Sequence, residues 1–79
     1  MGKNTVYVVV VMLTYTPDVR VFGTLAEAVT YTKNMVKEAG YSDAEMASVD
    51  AETRQRTGCR YEWLNVSQRL ARLFESHIQ

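Results

Sequence analysis

The stretch VYVVVVMLTY, residues 6–15, decides the fold of this chain. Residues 6–13 form an unbroken apolar run, but a bilayer span takes about 20 apolar residues. Thr14 to Pro17 stand where a signal peptide would carry a small-residue cleavage site. Valine is stiff at its first side-chain torsion and favours an extended backbone. The run therefore predicts a β-strand over about 5–14 in a cytoplasmic protein, and not a membrane segment or a leader.

Length and composition indicate one small globular domain that spans residues 1–79. Hydrophobic residues make up 47% of the chain and charged residues 23%, which argues against disorder. Nine basic residues balance nine acidic ones, so the basic excess that usually accompanies DNA binding is missing. The single cysteine, Cys59, cannot form an internal disulfide, which fits a reducing cytoplasm.

The residues after the first strand predict its partner in a hairpin. Pro17 and Asp18 favour a turn, because proline presets one backbone torsion and aspartate can bond its own backbone. Val19 and Val21 then alternate with Arg20 and Phe22, in the period of a half-buried strand. Strands over about 5–14 and 18–23 are therefore expected to form an antiparallel hairpin.

A helix is predicted over about 24–39. Thr24 and Glu27 have the spacing of a capping box, in which each side chain bonds the backbone at the other. Apolar residues follow at helical spacing. Gly40 stands where a left-handed residue commonly ends a helix.

Residues 43–56 carry two conflicting patterns. Ser42 and Glu45 have the spacing of a second capping box, and the local composition favours helix. Residues 47–53 instead alternate small apolar with polar side chains, as a strand does. We favour a helix here, with a third strand as the alternative.

The C-terminal segment predicts another helix, over about 60–77. At about 100° per residue its large apolar side chains fall in one half of the helical wheel. They are Trp63, Val66, Leu70, Leu73, Phe74 and Ile78. A short strand at residues 60–63 before a shorter helix is the alternative. The expected fold class is α+β, a hairpin packed by helices. Its expected core includes Val9, Val11, Leu25, Val29, Val36, Leu70 and Phe74.

No arrangement of residues predicts catalysis, a metal site or a cofactor site. His77 is the only histidine, too few for a zinc site with one cysteine. Arg56 and Arg60 lie near Cys59 in the sequence and could lower its pKa, but a base to activate the thiol is missing. The acidic residues of 43–52 lack the spacing of a calcium loop. We expect a protein that is not an enzyme and has no catalytic, cofactor-binding or metal residue.

Both faces of the first strand are apolar, so something must cover the second face. A strand in a solvated hairpin is usually apolar on one face only. The candidates are a third strand, the C-terminal helix or another protein chain. We therefore expect a homodimer or a heteromeric complex with the first hairpin, including Tyr7 and Val8, at or near the contact.

Arginines and aromatic residues in the second half of the chain mark a further candidate surface. Arginine and aromatic side chains are common both in protein hot spots and on nucleic-acid-binding surfaces. Tyr61 lies off the apolar half of the wheel, which favours an exposed position, whereas Trp63 lies on it. The full set of candidate partner-binding residues is Tyr7, Val8, Arg56, Arg60, Tyr61, Arg69 and Arg72.

These features favour a small cytoplasmic accessory or inhibitory factor that binds another protein. The succession of valine-rich strand, turn, strand and a helix opening TLAEA resembles that of many small bacterial and phage proteins, and covers residues 6–39. An anti-defence or host-takeover protein of a phage or mobile element is one form of this hypothesis. The alternative is a nucleic-acid-binding regulator, as a dimer.

Overall fold

A computed structural model describes residues 4–13, 15–66 and 68–78. In the described part of the chain, five antiparallel strands form one sheet with two helices, which confirms the α+β class. The elements are β1 (Asn4–Val11), β2 (Asp18–Phe22), α1 (Leu25–Glu38), β3 (Glu45–Ser48), α2 (Ala51–Thr57), β4 (Cys59–Asn65) and β5 (Gln68–Ile78). The strand order is β2-β1-β5-β4-β3. Strands β1 and β5 are therefore interior strands, and β2 and β3 are the edges.

The N-terminal hairpin is confirmed. Strands β1 and β2 pair antiparallel, with Val8 opposite Val21 and Val10 opposite Val19. The strand β1 ends at Val11, three residues before the predicted limit, and residue 14 itself lies outside the described residues. The β1 strand also pairs along its whole length with β5, and this second pairing places the valine run inside the sheet.

The helix α1 begins and ends as its sequence predicts. The Glu27 amide donates to Thr24 Oγ1 at 3.2 Å, and Thr24 Oγ1 donates to Glu27 Oε1 at 2.9 Å. At the other end Gly40 has φ +96°, in the left-handed region that glycine tolerates. The amide of Tyr41 donates to the Val36 carbonyl at 2.9 Å, and this hydrogen bond satisfies a carbonyl in the last turn of the helix.

The core lies between α1 and one face of the sheet. It consists of Val9, Val11, Ala28, Val36, Trp63, Leu70, Ala71 and Leu73. Thr32, in α1, is also fully buried. Its hydroxyl donates a hydrogen bond to the Ala28 carbonyl at 2.8 Å, so this buried polar group has a partner. Of the expected core residues, Val9, Val11, Val36 and Leu70 are buried, and Leu25 and Val29 pack partly buried against them. Phe74 is only half-buried.

The predicted helix over 60–77 is wrong, because the segment forms β4 and β5. The strand β5 pairs with β1 on one side and β4 on the other, so it gains hydrogen bonds along both edges. Two register shifts interrupt the β4–β5 pairing, one between Cys59 and Tyr61 and one between Trp63 and Leu64. His77 accordingly lies on a strand, opposite Thr5, and not at the end of a helix.

Residues 43–56 contain both of the structures that their patterns indicate. The alternating part begins as β3, which pairs with β4, and the helix follows later as α2. Helix α2 is capped by Asp50, whose carboxylate accepts from the Thr53 amide at 2.8 Å. It ends at Gly58, with φ +80°. The favoured helix is therefore shorter and later than predicted, and the third strand also exists.

Candidate protein-binding surface

The side of the sheet opposite α1 carries a patch of apolar side chains, which we call the valine face. Its members are Val6, Val8, Val10, Val19, Val21 and Phe74. They come from β1, β2 and β5, which are neighbours in the sheet. The valine face is therefore one continuous surface and not a scatter of isolated residues.

The register of the strands explains why these side chains share a face. Residues directly opposite each other on paired strands point to the same side. Val8 lies between Val21 on β2 and Phe74 on β5, and Val10 lies opposite Val19. Val9, between Val8 and Val10, points the other way and is fully buried under α1. The even-numbered residues of β1 thus remain on the uncovered side.

The two valines of the edge strand are the most exposed members of the valine face. Val19 is 57% exposed and Val21 is 62% exposed, while the other members are half-buried by their neighbours. The largest apolar patch on a monomer is often a functional surface, and the valine face is a candidate for that reason. No charged side chain belongs to the patch, so its chemistry suits an apolar protein surface.

A charged cluster borders the valine face on the β4 side. Glu62 Oε2 forms an ion pair with Arg69 Nε and lies 3.5 Å from Arg72 Nε. Arg72 stands opposite both Val10 and Glu62, so the cluster shares the face with the valines. The Arg72 Nε atom is buried without a hydrogen-bond partner among the described residues. Glu62 therefore offsets one of the two positive charges, and the cluster keeps one net positive charge beside the apolar patch.

Helix α2 lies on the same border. Its cap Asp50 and its residues Thr53 and Thr57 line a cavity of about 310 Å³ together with Cys59, Glu62, Arg69 and Arg72. The helix contacts β4, whereas α1 contacts β1, β2 and β5 from the opposite face. Helix α2 thus lies against β4, and no helix of the described residues contacts β1 and β2 from this side.

Cys59 is a packed residue in this structure. It is 4% exposed, and its thiol lies 3.6 Å from the Tyr61 carbonyl, to which it can donate. Burial raises the pKa of the Cys59 thiol, and the nearby charge of Glu62 raises it further. The expectation that Arg56 and Arg60 could lower this pKa is therefore wrong. A protonated thiol is a poor nucleophile.

Three of the predicted partner-binding residues lie on the side of α1 instead. Tyr7 and Tyr61 are half-buried and pack against the core. The Arg60 guanidinium lies 5.7 Å from the Tyr61 ring centroid and 3.2 Å from Glu75 Oε2. Tyr61 is thus less exposed than its place on the helical wheel indicated. These residues do not meet the valine face.

The remaining predicted residues are divided. Val8 belongs to the valine face, and Arg69 and Arg72 border it. Arg56 lies apart on α2, where it is within 3.8 Å of Glu52 in an exposed pair. The structure thus places Val8, Arg69 and Arg72 on one side of the sheet and Tyr7, Arg60 and Tyr61 on the other, with Arg56 apart on α2.

Several surface residues were missed by the sequence argument. Val19 and Val21 were placed only in a half-buried strand, and Phe74 in the core. Tyr15 and Val66 are almost fully exposed, in the β1–β2 and β4–β5 connections. The sequence does carry a signal for the position of Val19 and Val21, because they alternate with Arg20 and Phe22 and must therefore point to the other side of β2. In the structure Arg20 and Phe22 pack around Tyr31 of α1.

Comparisons with protein-family models, curated proteins and solved structures found no significant match. Within residues 4–13, 15–66 and 68–78, acidic, cysteine and histidine side chains form no group of three that could hold a metal ion. None of the helices in that same part of the chain is long and apolar enough to cross a membrane.

Proposed function

We propose that this chain works by binding another protein through the valine face, without catalysis. The observation that carries the proposal is the uncovered apolar strip of β2, β1 and β5, with Val19 and Val21 more than half exposed. Removing apolar surface from water stabilises a complex by roughly 25 cal/mol per Å² before the costs of association. A small accessory or inhibitory factor, of the kind that phages and mobile elements encode, acts in this way.

The edge position of β2 supports the same proposal. In the described part of the chain, β2 pairs only with β1, so one row of its backbone groups has no strand neighbour. An exposed edge beside an exposed apolar face offers a partner both backbone hydrogen bonds and side-chain contacts. A reducing compartment such as the cytoplasm suits the chain, because its buried thiol needs no disulfide partner.

The arginines give little support to the nucleic-acid alternative. Arg56, Arg60, Arg69 and Arg72 each lie within ion-pair distance of a glutamate of the same chain. Phosphate binding would have to compete with these pairs, and the chain has no excess positive charge to draw a polyanion toward it.

The proposal is tested by capture from a lysate of bacteria that also express the untagged chain, with three forms of the tagged chain, each in nuclease-treated and untreated arms. Val21→Lys places a charge on the valine face at an exposed site, so the fold should survive. Tyr15→Lys makes the same change in an exposed loop and is the matched control. The wild type and Tyr15→Lys should retain a protein after nuclease treatment, and Val21→Lys should lose it. Equal recovery by all three forms, or recovery of nucleic acid alone, would contradict the proposal.

A further inference from the structure

We propose that a second copy of this chain covers the valine face, in a two-fold dimer whose sheets pack face to face. This inference rests on the proposed function, because it names the partner of the same surface. Two sheets pack with about 10 Å between them when side chains of both inner faces interdigitate. Branched valines on a regular pleat, as in Val8, Val10, Val19 and Val21, form such an inner face.

The charges around the valine face do not select a partner of opposite sign. A two-fold axis brings a surface against itself, so a charged face would meet charge of its own sign. The six members of the valine face are uncharged, and only one net positive charge per copy borders them, because Arg69 and Arg72 share Glu62. The whole chain is also neutral, with nine residues of each sign. A partner selected by opposite charge would require a charged face, and the members of the valine face are uncharged.

The order of the elements also allows two copies to fit together. Helix α2 covers the β4 side, and the side of β1 and β2 is open, so the profile is a step. With the two-fold axis along β1, β5 of one copy lies over β2 of the other. Each α2 then lies beside the β2 edge of the other copy. One arrangement thus covers the valine face and the free edge of β2 together.

The area available is near the minimum for a specific dimer. The valine face measures about 20 Å along the strands and about 14 Å across them, or about 280 Å² on each copy. A helix of the length of α2 against a strand edge adds about 100 Å² on each surface in contact. Two copies would bury about 1,000 Å² in total, which is the lower limit for a biological interface. The dimer should therefore dissociate on dilution.

Sedimentation velocity over a range of protein concentrations tests this arrangement. The wild type should pass from a single chain of 9.0 kDa to twice that mass as its concentration rises. Val8→Lys, on the interior strand β1, and Val21→Lys, on the edge strand β2, should remain monomers at every concentration while keeping the wild-type circular dichroism spectrum. Tyr15→Lys should dimerise like the wild type. If Val8→Lys unfolds, Val8→Thr replaces it as an isosteric polar change and should weaken dimerisation at least tenfold.

The other outcomes separate this inference from the proposed function. A wild type that stays monomeric, with capture of a different protein that Val21→Lys abolishes, overturns the dimer and leaves the proposed function standing. A monomeric wild type whose captured proteins do not depend on Val21 overturns both. If Val21→Lys dissociates the dimer but a folded Val8 variant does not, the copies pair through the β2 edges, and face-to-face packing is wrong.

Discussion

Tyr31 of α1 donates its phenolic hydrogen to the carboxylate of Asp18, the first residue of β2. The Phe22 ring lies 5.2 Å from the Tyr31 ring, and the Arg20 guanidinium lies 5.4 Å from it. This contact holds β2 against α1 through the side of the strand that carries Arg20 and Phe22. Val19 and Val21 therefore point to the opposite side, where they belong to the valine face.

Replacing Tyr31 by phenylalanine should lower the free energy of unfolding by about 1 kcal/mol, the usual net value of a hydrogen bond. The ring contact with Phe22 remains, so the loss reports the hydrogen bond. Asp18→Ala, which removes the acceptor, and the double variant complete a mutant cycle in urea unfolding. Additive effects of the two single changes would show that the contact contributes nothing to stability.

The same contact predicts a loss of stability at alkaline pH. The hydrogen bond to Asp18, followed by burial, raises the pKa of Tyr31 above its ordinary value. A group whose pKa is raised on folding contributes stability in full below its unfolded pKa, about 10 for tyrosine, and loses it as pH rises through the folded pKa. The stability difference between wild type and Tyr31→Phe should therefore be constant near neutral pH and shrink above about pH 10. A difference that grows with pH would contradict the assignment.

Leu70 tests the role of β5 in the core. It is fully buried, and it lies at the register shift where Ala71 pairs with Trp63 and Arg69 pairs with Leu64. Leu70→Ala should cost about 2–5 kcal/mol in urea unfolding, because it leaves a cavity under α1. A loss below about 1 kcal/mol would show that the Leu70 side chain is not packed in the core, since substitutions at exposed positions typically change stability by about 0.5 kcal/mol or less.

Val66 occupies an unfavourable backbone conformation. Its φ is +58°, in the left-handed region that β-branched residues rarely adopt, and its side chain is 95% exposed. Asparagine tolerates this conformation, so Val66→Asn should raise the free energy of unfolding by about 1 kcal/mol. Val66→Ile keeps the branched side chain and is the control, with no gain expected. A loss of stability in Val66→Asn would mean that the valine side chain makes a contact worth more than the strain.

The N-terminal half of the fold could be predicted because its signals are local. Four consecutive valines, 8–11, fix a strand through side-chain stiffness alone. Thr24, Glu27 and Gly40 mark the two ends of α1 through bonds within a few residues. None of these signals needs a distant partner.

The C-terminal half could not be predicted because its strands depend on distant partners and broken alternation. Strand β5 lies between β1 and β4, so Leu73 packs under α1 while its neighbour Phe74 lies on the valine face. Apolar residues on both faces obscure the period of two. The register shift at Leu70 brings two consecutive residues, Leu70 and Ala71, into the core, and this spacing imitates a helix. Leucine, alanine and arginine also favour helix locally.

The candidate surface was predicted in outline. The apolar character of both sides of β1 indicates that one side needs a cover but not which side, because the predicted contact includes both Tyr7 and Val8, which point to opposite sides. The arginines were judged by composition, which cannot show that Arg69 and Arg72 share Glu62 across two strands. Pairings of that kind require the register, which a single sequence does not supply.

The most direct test of the valine face measures the reactivity of a thiol placed on it. Val21→Cys and Arg20→Cys put one exposed thiol on opposite sides of β2, and the native Cys59 is too buried to interfere. The rate of maleimide labelling is measured in dilute buffer, in concentrated protein and in nuclease-treated bacterial lysate. Labelling of Val21→Cys should slow in concentrated protein or in lysate, because another chain covers it, while that of Arg20→Cys stays constant. Equal rates for the two variants under all three conditions would contradict a protein contact at the valine face.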